Sequence, residues 1–70
     1  MNKIDVSSSN IASIGYDENQ MVLEVEFIGG RIYLYEGVPG YVFNEFLNAR
    51  SKGRYFHYYI RNRYPYNRIS

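Results

Sequence analysis

Met21-Val22-Leu23-Glu24-Val25-Glu26-Phe27-Ile28-Gly29-Gly30-Arg31-Ile32-Tyr33-Leu34-Tyr35 is the stretch that decides the fold. Leu23, Val25 and Phe27 alternate with Glu24 and Glu26, the period of two that a half-buried strand requires. Gly29-Gly30 supplies the positive φ angles of a tight hairpin, and Arg31 to Tyr35 returns as the next strand. A two-residue turn sets Phe27 against Ile32 and Val25 against Leu34 on the buried side. Glu26 then meets Tyr33, and Glu24 meets Tyr35, on the other side. On this register the hairpin has one apolar face and one face of carboxylates and phenols. Such a two-faced antiparallel sheet packs its apolar side against a helix.

Upstream, Asn10 to Tyr16 reads as a short strand and Asp17-Glu18-Asn19-Gln20 as a polar turn. Residues 1–8 read as an irregular lead. Downstream, Pro39 suits a first helical turn. Val42, Phe43, Phe46 and Leu47 recur at the spacing of one apolar helix face. Gly53 reads as the helix exit through a left-handed turn. Tyr55 to Arg63 forms a second short helix or coil, and Pro65 ends regular structure. The expected fold is α+β: a three-stranded antiparallel β-meander packed against one amphipathic helix, followed by a short second helix or coil. Residues 9–70 make a single domain.

The chain has 70 residues and no cysteine, which excludes disulfides, thiolate metal sites and cysteine nucleophiles. Its single histidine leaves too few ligands for an ordinary structural zinc site. No cofactor or metal is expected. The polar start, Met1 to Asn10, is unlike a secretory signal, and no apolar run approaches the ~20 residues of a membrane span. A cytoplasmic protein with no membrane partner is therefore expected. So small a core favours self-association, most simply as a dimer.

Charge is unevenly divided. Residues 46–70 carry six basic side chains and no acidic one, whereas residues 1–45 carry two basic and seven acidic. Tyrosines are interleaved with the C-terminal cations. This combination suits a polyanion, because guanidinium groups attract phosphates and flat rings stack on bases. The candidate ligand-binding residues are Tyr33, Tyr35, Arg50, Lys52, Arg54, Tyr55, Tyr58, Arg61 and Arg63. The competing reading is internal: the basic segment folds over the acidic sheet face, and Arg61 or Arg63 pairs with Glu24 and Glu26.

Catalytic material is sparse. His57 has no carboxylate near it in sequence, and a ring packed at the surface accounts for it as well as a general base does. Glu24 and Glu26 share a strand face, where ion pairs and hydrogen bonds to Tyr33, Tyr35 and Arg31 explain them without acid–base chemistry. Gly29-Gly30 lacks the helix and lysine of a phosphate-binding loop. Lys52, Gly53 and Arg54 make a better anion candidate, set against a plain helix stop with solvated charges. The protein is expected not to be an enzyme.

The order of features resembles the KTSC domain family, named for a segment at the C-terminus of some lysyl-tRNA synthetases. The family also occurs as small stand-alone bacterial and phage proteins. Its central tyrosine-x-tyrosine motif matches Tyr33 and Tyr35, and its glycine-x-tyrosine-phenylalanine segment matches Gly53, Tyr55 and Phe56. Relatives often carry asparagine where this chain has His57. The resemblance implies the small α+β fold and an association with RNA. The expected function is non-catalytic binding of RNA or a phosphorylated nucleotide. The alternatives are a phage-type oligomer that sequesters a host nucleotide signal and a protein-interaction module, since tyrosine and arginine also favour protein interfaces.

Overall fold

The central hairpin forms where the alternation places it, but its turn holds three residues rather than two. In the structure, a computed structural model that describes residues 2–70, the Phe27 amide donates to the Arg31 carbonyl at 2.8 Å. The Gly30 amide donates back to the Phe27 carbonyl at 3.0 Å. Ile28, Gly29 and Gly30 therefore form the loop, with φ of 108° at Gly29 and 96° at Gly30. Glycine alone takes such angles without steric cost.

The extra loop residue moves the register by one. Val25 pairs with Tyr33 and Leu23 with Tyr35, while Glu24 pairs with Leu34 and Glu26 with Ile32. A one-residue slip turns every side chain of a strand to the opposite face. This corrects the expected pairing: Tyr33 and Tyr35 lie on the core side, and Ile32 and Leu34 lie on the carboxylate side. Tyr35 is buried among the core residues and Tyr33 is half-buried.

The sheet has five strands rather than three. They run β1 (Lys3–Asp5), β2 (Ile11–Asp17), β3 (Val22–Phe27), β4 (Ile32–Tyr35) and β5 (Tyr66–Arg68), all antiparallel and adjacent in that order. The two additions are three-residue edges at opposite ends of the chain, one in the expected irregular lead and one beyond Pro65. Segments that short carry no legible alternation, and here their ladder partners hold them. Pro65 contributes its carbonyl to the Glu36 amide at 2.9 Å and so leads the chain into β5.

The helix α1 (Gly40–Asn48) follows Pro39 and buries Val42 and Phe46. Both join Ile14, Leu23, Val25 and Tyr35 in the core, with Phe43 and Leu47 half-buried beside them. Phe43 stacks on Tyr16 at 4.9 Å, and the Tyr16 hydroxyl donates to the Val38 carbonyl. The chain then re-enters helix as α2 (Lys52–Tyr55) and continues through a π-helical turn, Phe56–Ile60. Ser51 caps α2 by accepting the Arg54 amide on its hydroxyl at 3.2 Å.

Gly53 is therefore inside the second helix and not at the exit of the first. Its requirement is proximity: a Cβ there would lie 2.9 Å from Asn10 Oδ1. Phe56 and Ile60 anchor the π-helical turn in the core. Among the described residues no helix is long and apolar enough to cross a membrane.

On the far side of the sheet, Lys3, Gly15 and Glu24 lie in one row across three strands. Gly15 has no side chain to intervene, and Lys3 Nζ reaches Glu24 Oε2 at 2.8 Å and Glu26 Oε1 at 3.5 Å. Ser13 Oγ donates to Glu26 Oε1 at 3.1 Å. The two carboxylates of this face thus take their ion-pair partner from β1. This sets aside the competing reading in which Arg61 or Arg63 pairs with Glu24 and Glu26.

Candidate functional site

A cleft of about 420 Å³ opens between the core side of the sheet and the second helix. The β3–β4 hairpin contributes Phe27, Arg31, Tyr33 and Tyr35 to its lining, and β5 contributes Tyr66. The second helix contributes Gly53, Phe56 and His57. Arg61, Asn62 and Asn10 complete the wall, and these three and Arg31 are all exposed. No Asp or Glu is among the lining residues.

The aromatic part of the lining is a continuous assembly. Tyr33 and Tyr35 stack at 6.4 Å with 22° between ring planes. Tyr66 sits 5.6 Å from each of them, tilted. Phe56 meets Tyr35 edge-on at 5.5 Å and Phe27 at 5.4 Å. Offset and edge-on ring pairs are favourable beyond their buried area. Two of these rings, Tyr33 and Tyr35, face the cleft only because the three-residue turn rotates β4. Tyr66, which is 56% exposed, is the ring most open to an incoming flat group.

The cations occupy defined places around this assembly. The Arg31 guanidinium lies 5.4 Å from the Phe27 ring centroid, a cation–π distance. Arg61 follows the π-helical turn directly, with its amide bonded to the Phe56 carbonyl at 2.8 Å. Asn62 adopts φ 65°, a left-handed conformation that asparagine tolerates better than most residues. The π-helical turn sets where the chain leaves the helix, and therefore where Arg61 and Asn62 stand. Such turns are frequent at functional sites.

The Tyr35 phenol is pushed up to about 12, foremost by burial, then by Tyr33 and Tyr66, and against the opposing pull of Arg61. It is therefore a proton donor at neutral pH. Tyr55 is also raised, by burial and then by its hydrogen bond to Glu45.

Of the nine residues expected at the site, the structure brings together Tyr33, Tyr35 and Arg61. Tyr55 is turned away: it stacks on Phe46 at 5.7 Å and donates its hydroxyl to Glu45 Oε1 at 2.8 Å. Lys52 donates from Nζ to the Ala49 carbonyl at 2.8 Å, near the end of α1. Arg50, Arg54, Tyr58 and Arg63 are exposed and lie outside the cleft lining. Among the described residues, no ion pair joins Lys52, Arg54, Arg61 or Arg63 to a carboxylate.

Sequence reasoning did not single out Arg31, Asn10, Asn62 or Tyr66, and it weighed His57 only as a base. The available signal was position. Arg31 directly follows the double glycine, so its place depends on the length of the turn. Tyr66 follows a proline that looked like a terminator.

The chain belongs to the KTSC domain family, whose family model matches residues 7–64. An uncharacterised protein of Stutzerimonas stutzeri strain A1501 is 43% identical over 70 residues, covering 99% of each chain. A lysine–tRNA ligase of Trichormus variabilis is 39% identical over 62 residues, which are 89% of this chain but 11% of the ligase. Among solved structures, the crystal structure of a KTSC domain protein from Yersinia pestis superposes with a TM-score of 0.93. Its identity is 40%, over 99% of this chain and 97% of that one. The similarity thus spans both stand-alone proteins and a small part of a much larger ligase.

Proposed function

We propose that the protein is a non-catalytic binding module for single-stranded RNA or a phosphorylated nucleotide, and that its site is the aromatic cleft. The observation that carries this reading is the composition of the lining: two guanidinium groups and a cluster of rings, with no carboxylate. Phosphate and base are the two halves of a nucleotide, and this lining offers a partner to each. The occurrence of similar sequence in lysine–tRNA ligases supports the same direction. His57 faces the cleft without a carboxylate in the lining to orient it, which favours binding over acid–base chemistry.

Fluorescence anisotropy with a labelled single-stranded RNA tests the reading. Affinity should fall with salt, and each lost phosphate contact should flatten the log–log slope by about 0.7. Arg61→Ala and Arg31→Ala should each weaken binding and reduce the slope. Tyr66→Ala should weaken binding by about 1–3 kcal/mol with the slope retained, as loss of a stacked base does. Absence of binding at low salt to RNA and to nucleotides would leave protein interaction as the function of this surface.

A further inference from the structure

Tyr35 is 4% exposed and lines the cleft, yet its hydroxyl has no hydrogen-bond partner within the protein among the described residues. Two half-buried tyrosines elsewhere differ. Tyr16 donates to the Val38 carbonyl and Tyr55 donates to Glu45. Tyr35 Oη is also not among the side-chain atoms sealed from solvent without a partner, so it keeps contact with the cleft. A nearly buried hydroxyl that forgoes an internal acceptor is costly unless something from outside accepts its proton. Its raised acidity range keeps that proton in place through neutral pH.

We infer that the bottom of the cleft is a pocket for a terminal phosphate monoester, anchored by the Tyr35 hydroxyl, with Arg61 and Arg31 in the lining of the same cleft. This rests on the proposed nucleotide-binding role and specifies which part of the ligand the cleft reads. The reason is steric access. Tyr35 is 4% exposed as a residue, so its hydroxyl is met only through the cleft, by a group that projects from the end of a ligand and not by the middle of a strand running over the surface.

The lining favours an anionic ligand, because the cleft holds two guanidinium groups and no carboxylate. A phosphate monoester presents three terminal oxygens, enough for a phenol and a guanidinium group together, and at neutral pH it carries more charge than a diester. A cleft of about 420 Å³ falls within the range of small-ligand sites, leaving space for the adjoining nucleoside beside Tyr66. The same chemistry is offered by a free nucleoside monophosphate and by the phosphorylated end of an RNA strand.

The test is calorimetric titration of the whole chain with a uridine hexamer in three forms, 5′-phosphorylated, 3′-phosphorylated and hydroxyl-ended, and with uridine 5′-monophosphate. At least one phosphorylated hexamer should bind about tenfold or more tightly than the hydroxyl-ended one, the scale of a hydrogen bond to a charged group. Tyr35→Phe should abolish that preference and leave the melting temperature unchanged, since the hydroxyl serves no partner in the protein. Binding of the monophosphate comparable to the hexamer would identify the free nucleotide as the source; much weaker binding would identify the RNA end.

Equal affinity for all three hexamers overturns this inference and leaves the RNA-binding role standing. A phosphate preference that persists in Tyr35→Phe overturns it as well. No binding of any probe removes the underlying role together with it.

Discussion

A phenol that titrates near 12 ties stability to alkaline pH, and the sign follows from the direction of the shift. Tyr35 has its ordinary value of 10.0 in the unfolded chain and is held higher in the folded one. Below the ordinary value both states keep the proton, so the stabilisation is complete. Between about 10 and about 12 the unfolded chain loses its proton first, so stability falls as pH rises. Tyr16 and Tyr55 are raised in the same direction. The melting temperature should therefore decline through this window, and Tyr35→Phe should decline less steeply. Thermal melts in steps from pH ~9 to ~12, with tyrosinate absorbance read alongside, check this. At this scale the sequence was partly legible. Tyr33 and Tyr35 were singled out as rings on the carboxylate face, which is the wrong face, and Arg61 as a C-terminal cation; all three line the cleft. Tyr55 was not distinguishable from them, because nothing local shows that Glu45 lies opposite its hydroxyl. Gly53 was recognised as special for the wrong reason: Asn10, 43 residues earlier in the chain, sets the constraint.

Alternation revealed the strands β2, β3 and β4, and the apolar spacing revealed α1, because each buries a periodic stripe. Register was not legible in the same way. The strands flanking Gly29-Gly30 admit a two-residue or a three-residue loop, and periodicity alone does not choose between them. Packing chooses: the three-residue loop places Tyr35 beside Leu23 in the core and leaves Ile32 and Leu34 half-buried on the other face. Inserting a glycine after Gly30 tests this. A three-residue loop then closes on Ile28 and Arg31, the other register, which would remove Tyr33 and Tyr35 from the core side together. The loss should match or exceed that of Phe46→Ala, about 3–5 kcal/mol for a fully buried aromatic. Chemical denaturation of the two variants compares them directly, and an insertion variant of wild-type stability would mean that the loop does not set the register. The edges β1 and β5 were invisible for a different reason. Three residues hold too little pattern, and their strand state comes from the neighbours they pair with.

The segregation of charge survives folding. In the acidic half Lys3 pairs with Glu24 and Glu26, and the basic C-terminal half remains unpaired with carboxylates among the described residues. That outcome was not readable from composition, because the same numbers allow the halves to neutralise each other. It depends on Gly15, whose missing side chain lets a lysine from the edge strand reach Glu24. We also propose self-association, from the small core and the large aromatic surface. Multi-angle light scattering at tens of micromolar should report a dimer, with the monomer as the contrary result.

The position of β5 has a consequence for biosynthesis. The meander is laid down strand by strand, and Tyr66 is the last of the cleft's rings to be translated. A nascent chain halted just before Pro65 already carries β1 to β4 and both helices, yet one wall of the cleft is missing. Under the proposed binding role, recognition waits until the final strand emerges from the ribosome, because the wall that carries Tyr66 is the last to be made.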